Sequence, residues 1–231
     1  MKKYKNIRTL EILEGAENYN SWIASRLKPY IKSPALEIGA GTGNISYYFT
    51  HLKELVLTDI DEDLVASLRL KFSKKRKIIF EVLNVASNLG KISNTFNTIY
   101  SVNVLEHIEN DEKALRNMHR MLNKSGTLVL LVPAKRIAYN DLDRSLGHFR
   151  RYEKEELRKK IEKAGFTINE LEYFNVTGLL SWILRNYISN SHAELKGSQV
   201  KYFNWVVPIL RLIEPRQGLP FGISLIAVAR K

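Results

Sequence analysis

Seven short apolar runs rich in β-branched residues punctuate the chain, and helical patterns separate the first five; this alternation restricts the fold more than any other feature. The runs are ALEIG (35–39), ELVLTD (54–59), KIIFEVLN (77–84), FNTIYSVN (96–103), TLVLLVP (127–133), FTINELEYF (166–174) and ISLIAVAR (223–230). Between the fourth and fifth, Leu115, Met118, Met121 and Leu122 recur at helical spacing, with Asp111 as the expected N-cap and Gly126 beyond the C-terminal end. Strands that alternate with helices of this length predict an α/β fold: a doubly wound, mostly parallel sheet with right-handed crossovers and helices on both faces. The 231 residues suit a single domain, divided into an N-terminal helical lid (1–33), a core (34–175), a helical insertion or cap (176–220) and a last strand (221–231).

In such sheets the ligand lies beyond the carboxyl ends of the strands, and the loop after the first strand carries backbone to it. That loop is contained in ALEIGAGTGN, Ala35 to Asn44. Gly39, Gly41 and Gly43 permit a tight turn and close approach because none has a Cβ. A dinucleotide requires G-x-G-x-x-G, and Asn44 occupies the third glycine position of that pattern. The chain reads G-x-G-x-G instead, with Glu37 two residues before Gly39, an acid that suits a ligand presenting an ammonium and a sulfonium. Asp59 ends the second strand twenty residues after Gly39, where a carboxylate can accept from both hydroxyls of a ribose. Asp61 and Asp63 then suit a helix N-terminus.

These residues, together with YSVNVLEHIEND after the fourth strand, resemble the class I S-adenosylmethionine-dependent methyltransferases of small-molecule type, over about Tyr19 to Tyr173. The resemblance implies a Rossmann-like seven-stranded sheet whose last strand is antiparallel. It also implies S-adenosyl-L-methionine as cofactor and S-adenosyl-L-homocysteine as product. The cofactor residues it implies are Glu37, Gly39, Ala40, Gly41, Gly43, Asn44, Asp59, Ile60, Asn84, Val85, Ser101 and Val102, with Tyr19 and Trp22 of the lid above them. Asn84 departs from the family's usual Asp at the adenine amino group, although its amide oxygen can still accept. The run GHFRRY (147–152) is similar to a GHxRRY loop in a bacterial subgroup associated with glycan or lipid assembly.

Methyl transfer from a sulfonium is an in-line displacement, so the protein must mainly align the acceptor and exclude water. An oxygen, nitrogen or carbon acceptor also needs a base, and histidine titrates in the right range. Of His51, His107, His119, His148 and His192, topology places His107 and His148 at the ligand end of the sheet. His148 is the expected general base, with Arg150 and Arg151 as forked donors for an anionic acceptor and Tyr152 beside them. The alternative is that the arginines cap or pair with neighbouring acids and His148 is a packed loop residue. No His and carboxylate spacing argues for a metal, and Glu106 and His107 are the residues left open as ligands.

The formal net charge is +12, but residues 34–133 carry 12 basic and 11 acidic side chains, whereas 1–33 carry 7 and 3 and 176–231 carry 7 and 2. Basic ends of this size suit an anionic membrane face, an acidic substrate or RNA, or simply solubility. KFSKKRKI (71–78) is expected to end a helix, where cations meet the negative end of its dipole. The absence of cysteine excludes disulfides and thiolate metal sites. The first twenty residues lack a signal-peptide pattern, so a cytoplasmic location is expected. NVTGLLSWILRNYISNS and KYFNWVVPILRLIEP are apolar and aromatic but too short to span a bilayer; they are expected to pack on the sheet, to cap an apolar acceptor pocket, or to rest at a membrane interface through 176–214.

The leading expectation is O- or N-methylation of a small-molecule or lipid- or glycan-linked acceptor. The alternatives are an RNA methyltransferase, for which no NPPY-like element or RNA-binding module stands in the chain, a non-catalytic S-adenosylmethionine-binding protein and, last, a nicotinamide oxidoreductase. The oligomeric state stays open.

Overall fold

The computed structural model describes residues 12, 14–75, 77–87, 89, 96–176, 178, 197–214 and 220–231. Seven strands form one sheet: β1 (Ala35–Ile38), β2 (Leu55–Asp59), β3 (Ile78–Val82), β4 (Phe96–Val102), β5 (Leu122–Pro133), β6 (Thr167–Phe174) and β7 (Ser224–Arg230). Their order is β3-β2-β1-β4-β5-β7-β6, with β7 antiparallel to both of its neighbours. The doubly wound α/β fold and its antiparallel last strand are therefore as expected. The order reverses between β1 and β4, so the loops after these two strands border the crevice where such sheets bind ligands.

Each face of the sheet buries a separate core. On one face, Leu36, Ile99, Leu128 and Leu130 meet Leu115 and Met118 of α3 (Asp111–Met121) and Leu157 and Ile161 of α5 (Lys154–Lys163). On the other, Leu55, Leu57, Tyr100 and Val129 meet Trp22 and Leu27 of α1 (Glu17–Leu27), Leu68 of α2 (Glu62–Lys71) and Val207 of α6 (Gly197–Ile213). Leu115 and Met118 are wholly buried, which is worth about 2 kcal/mol each relative to exposure. α4 (Asp141–Leu146) is a short helix in the loop after β5.

Some local details differ from expectation. The connection from β1 to β2 is a 3₁₀ turn, Ser46–Phe49, rather than an α-helix. Asn110, not Asp111, caps α3, because its side chain accepts the Lys113 amide at 3.0 Å. The Asp111 carboxylate is thereby left for partners elsewhere. Asp61 caps α2 as expected, accepting from the amides of Asp63 and Leu64, and Lys71 ends that helix. Most of NVTGLLSWILRNYISNS, and with it His192, lies outside the described residues.

Candidate active site

A cavity of about 1720 Å³ lies beyond the carboxyl ends of the parallel strands. Glu37, Gly39, Ala40, Gly41, Asn44, Asp59, Ile60, Asn84, Val85 and Val102 line one end, so most of the expected cofactor residues meet in one place. Tyr19 lines it too, its ring stacked on Phe174. His107, Gly147, His148 and Phe149 line the other end, and Val200, Phe203, Val206 and Leu210 of α6 form an apolar wall.

The glycine turn has two purposes. Gly39, Gly41 and Gly43 all have positive φ, at 71°, 56° and 81°. A Cβ on Gly39 would stand 2.4 Å from Val104, so this glycine lets the loops after β1 and β4 meet. Gly43 does not line the cavity: a Cβ there would lie 2.7 Å from Phe72 and 2.8 Å from Leu68. Its expected contact with the cofactor is replaced by a packing reason. Ser101 is buried within β4 with an unpartnered Oγ and is not among the lining residues, whereas its neighbour Val102 is. Trp22 likewise sits in the core against Phe174 rather than above the cavity.

Asp59 accepts the Gly41 amide on Oδ2 at 2.9 Å and the Asp61 amide on Oδ1 at 3.1 Å. Those bonds fix the carboxylate, and burial raises its pKa despite them. Glu37 takes the Ser46 hydroxyl at 2.6 Å and the Tyr100 hydroxyl at 2.8 Å, both on Oε2. Burial pushes its pKa up to about 7, with the two hydroxyl donors opposing the rise. Asn84 turns its Oδ1 to the Ala86 amide at 3.1 Å.

The far end of the cavity is built by two loops. The one after β5 is ordered by a capping box in which Asn140 and Asp143 exchange bonds at the start of α4, and Gly147 ends that helix with φ 80°. Asp143, fully buried, then receives His148 Nδ1 at 2.7 Å and Arg151 Nε at 2.9 and 3.0 Å. Burial alone would raise its pKa, but His148 and Arg151 hold it below the usual carboxylate range. The Phe149 amide donates to the Glu106 carbonyl at 2.8 Å, joining this loop to the one after β4.

Glu106 is wholly buried and neither carboxylate oxygen has a hydrogen-bond partner. Oε1 is 4.0 Å from His148 Nε2. Burial pushes Glu106 up to about 7, while the nearby His148 and Arg151 oppose the rise. His107 crosses His148 edge to face, ring centroids 4.6 Å apart, and is pushed down to about 4 by burial and then by the charge of His148. His107 is therefore a neutral imidazole at pH 7. Glu106, His107 and His148 bring ligand atoms within 4.8 Å of one another, a trio that sequence spacing concealed because His148 is so distant along the chain.

The three expected acceptor contacts bond to acids of the protein itself, and of the three Arg151 also borders the cavity. Tyr152 is fully buried, its hydroxyl donating to Asp111 at 2.9 Å, and Arg151 is buried against Asp143 with Nη1 3.4 Å from the Ala134 carbonyl. Arg150 pairs with Asp111 at 2.8 Å and donates to the Glu109 carbonyl at 2.8 Å. Lys160 joins the same carboxylate at 2.8 Å. The arginines and the tyrosine thus hold the loop in place. Of the other histidines, His119 lies within α3 against Phe166, and His51 follows the 3₁₀ turn after β1.

Residues 36–130 match the methyltransferase domain family. The matched segment is a methyltransferase domain, and the seven-stranded sheet around it has the Rossmann-like fold of solved methyltransferases. The chain is 29% identical to the polyketide synthase PksR of Bacillus subtilis over 55% of its own length but only 6% of that protein. It is 31% identical to the ubiquinone/menaquinone biosynthesis C-methyltransferase UbiE of Shewanella oneidensis over 42% of this chain and 41% of that one. The chain thus spans less than half the length of these relatives. An S-adenosylmethionine-dependent methyltransferase structure from Mesorhizobium loti shares the fold, with TM-score 0.63 and 15% identity over 95% of this chain and all of the other. The methyltransferase domain implies S-adenosylmethionine as its cofactor, and the residues fit one: Glu37 makes its hydrogen bonds through Oε2 alone, Asp59 is fixed at the cavity wall, and the backbone of Gly39–Gly41 borders the space.

Proposed function

We propose that this domain methylates a small-molecule or lipid- or glycan-linked acceptor at an oxygen or nitrogen, and that His148 removes the acceptor's proton. The observation that carries the proposal is the single cavity joining Asp59 and the glycine turn to His107 and His148. A bound cofactor supplies the electrophilic methyl group. Asp59 is suited to the ribose hydroxyls and Glu37 to the ammonium of its amino-acid portion. Asp143 holds Nδ1 of His148, which leaves Nε2 to accept a proton in a fixed orientation. The Glu106 carboxylate near Nε2 then stabilises the imidazolium that forms. The apolar wall from α6 favours an acceptor with a hydrocarbon body.

A carbon acceptor is the second reading, favoured by the likeness to a C-methyltransferase over 42% of the chain. An enolisable carbon would need the same base. The test is incubation with radiolabelled cofactor and a cell extract separated into small-molecule, lipid, glycan and RNA fractions. Label in the small-molecule, lipid or glycan fraction, lost about a hundredfold or more in His148→Ala with unchanged cofactor affinity, supports the proposal. Label in RNA alone, or turnover unchanged in His148→Ala, overturns it.

A further inference from the structure

α6 is apolar on both of its sides, and only one side has a partner in the described structure. Its inward residues Val200, Phe203, Val207 and Leu210 pack against the second core or line the cavity. Asn204 anchors the helix to α1, accepting from the Tyr19 amide at 3.1 Å and the Asn18 side chain at 2.9 Å. On the opposite side Trp205, Ile209 and Leu212 recur at helical spacing and are 71%, 54% and 87% exposed, and Tyr202, 70% exposed, stands beside Trp205 at the edge of the cavity. Such a row of large apolar side chains on a soluble surface marks a place where something docks.

Charge narrows the occupant. From Gly197 to Ile213 the helix carries two cations, Lys201 and Arg211, both exposed, and no acid. The acid that follows, Glu214, is buried and accepts the amides of Asn175 and Val176 at 2.7 and 3.0 Å. Tyr202 and Trp205, in contact with each other, are the two aromatic types that settle at the headgroup level of a bilayer. No helix among the described residues is long and apolar enough to cross a membrane, so the row fits a helix lying in the interface rather than one spanning it.

We propose that the outer side of α6 docks on the surface of an anionic lipid bilayer, with Trp205, Ile209 and Leu212 entering the acyl boundary and Lys201 and Arg211 among the headgroups. The inward side of the same helix lines the cavity, so docking would set α6 between the cavity and the lipid. The surface assignment goes beyond the methyl-transfer reading and does not depend on it.

The test is co-flotation of the whole chain with vesicles of phosphatidylcholine alone or mixed with phosphatidylglycerol. The protein should float with the anionic vesicles and remain in solution with the neutral ones. Lys201→Ala and Arg211→Ala should each lower the partition coefficient about fivefold at low salt. Trp205→Ser with Leu212→Ser should abolish binding while the circular dichroism spectrum and melting temperature stay unchanged. The native chain has no cysteine, so Leu212→Cys can carry a single environment-sensitive fluorophore; its emission should shift to the blue on anionic vesicles, and a probe at Ser73→Cys should not. Failure to float, flotation undiminished in the double variant, or a dimer in solution that the double variant dissociates would overturn the proposal. Flotation is read without cofactor or turnover, so its result is independent of the methyl-transfer test.

Discussion

Replacing Glu37 by glutamine tests the electrostatics of the cofactor end of the cavity. The amide oxygen of Gln can still accept from Ser46 and Tyr100, so the main loss is the ionisable charge. In the folded chain burial raises the Glu37 pKa from its ordinary 4.5 to about 7. A carboxyl raised in this way contributes stability that is fully present below the unfolded pKa. That contribution is lost as pH rises through the folded pKa, since the unfolded chain releases its proton first. Each pH unit over which the two states differ by one proton is worth about 1.4 kcal/mol, so the total is about 3 kcal/mol. Between about pH 4 and pH 8, Glu37→Gln should therefore gain about 3 kcal/mol on the native protein, or about 10 °C in melting temperature.

Paired thermal melts of the two proteins across that range isolate the term, because most other titrating groups cancel in the difference. A difference that stays flat with pH would refute the claim that the fold holds Glu37 partly protonated. Cofactor binding supplies a second readout. An ammonium favours the carboxylate form, so near pH 7 binding to the native protein should release protons, measurable by calorimetry in buffers of different ionisation enthalpy. Glu37→Gln should release none at this site.

Gly43→Ala should cost about 3 kcal/mol, from a strained positive φ and the 2.7 Å approach to Phe72, yet leave the cofactor affinity of the folded fraction intact; weaker affinity would return Gly43 to the binding surface. Asp59→Asn should weaken cofactor binding by about 2 kcal/mol, roughly thirtyfold by calorimetry, and unchanged affinity would remove Asp59 from the ribose site. Tyr152→Phe should lower stability to urea by about 2 kcal/mol through loss of the bond to Asp111, with turnover per folded molecule unchanged. Lost turnover at full folding would restore Tyr152 to the acceptor site.

The fold was legible because strand and helix patterns alternate, and the cofactor end because it is local. Glu37, Gly39 and Gly41 share one short turn, and Asp59 ends the adjacent strand. Charge type alone could not say which partners Arg150, Arg151 and Tyr152 would find, since that depends on loops meeting from distant parts of the chain. Asp143 was missed although it fixes His148. The available signal was the N-x-x-D spacing of Asn140 and Asp143, which marks a capped helix and so a fixed carboxylate. Glu106 was visible only as a neighbour of His107; its isolation comes from burial, which no motif reports.

The placement of these cations changes where acceptor selectivity must lie. Arg150 and Lys160 share the one carboxylate of Asp111, and Arg151 pairs with Asp143, so each arginine is held by an acid of the protein itself. Removing one partner from the Arg151 pair would strand a buried charge, at a cost of about 3–5 kcal/mol, which makes the pair part of the scaffold. At the acceptor end the cavity is lined by a neutral His107, the oriented His148, the hydrocarbon wall of α6 and the polar side chains of Glu109, Asn110, Arg144 and Ser145. Along the α6 wall, discrimination among acceptors comes from shape and apolar contact, where one methylene is worth about 1–3 kcal/mol. Enlarging the wall with Val206→Ala should therefore shift preference toward bulkier acceptors by changing KM more than kcat, and a change confined to kcat would place the selectivity at His148 instead.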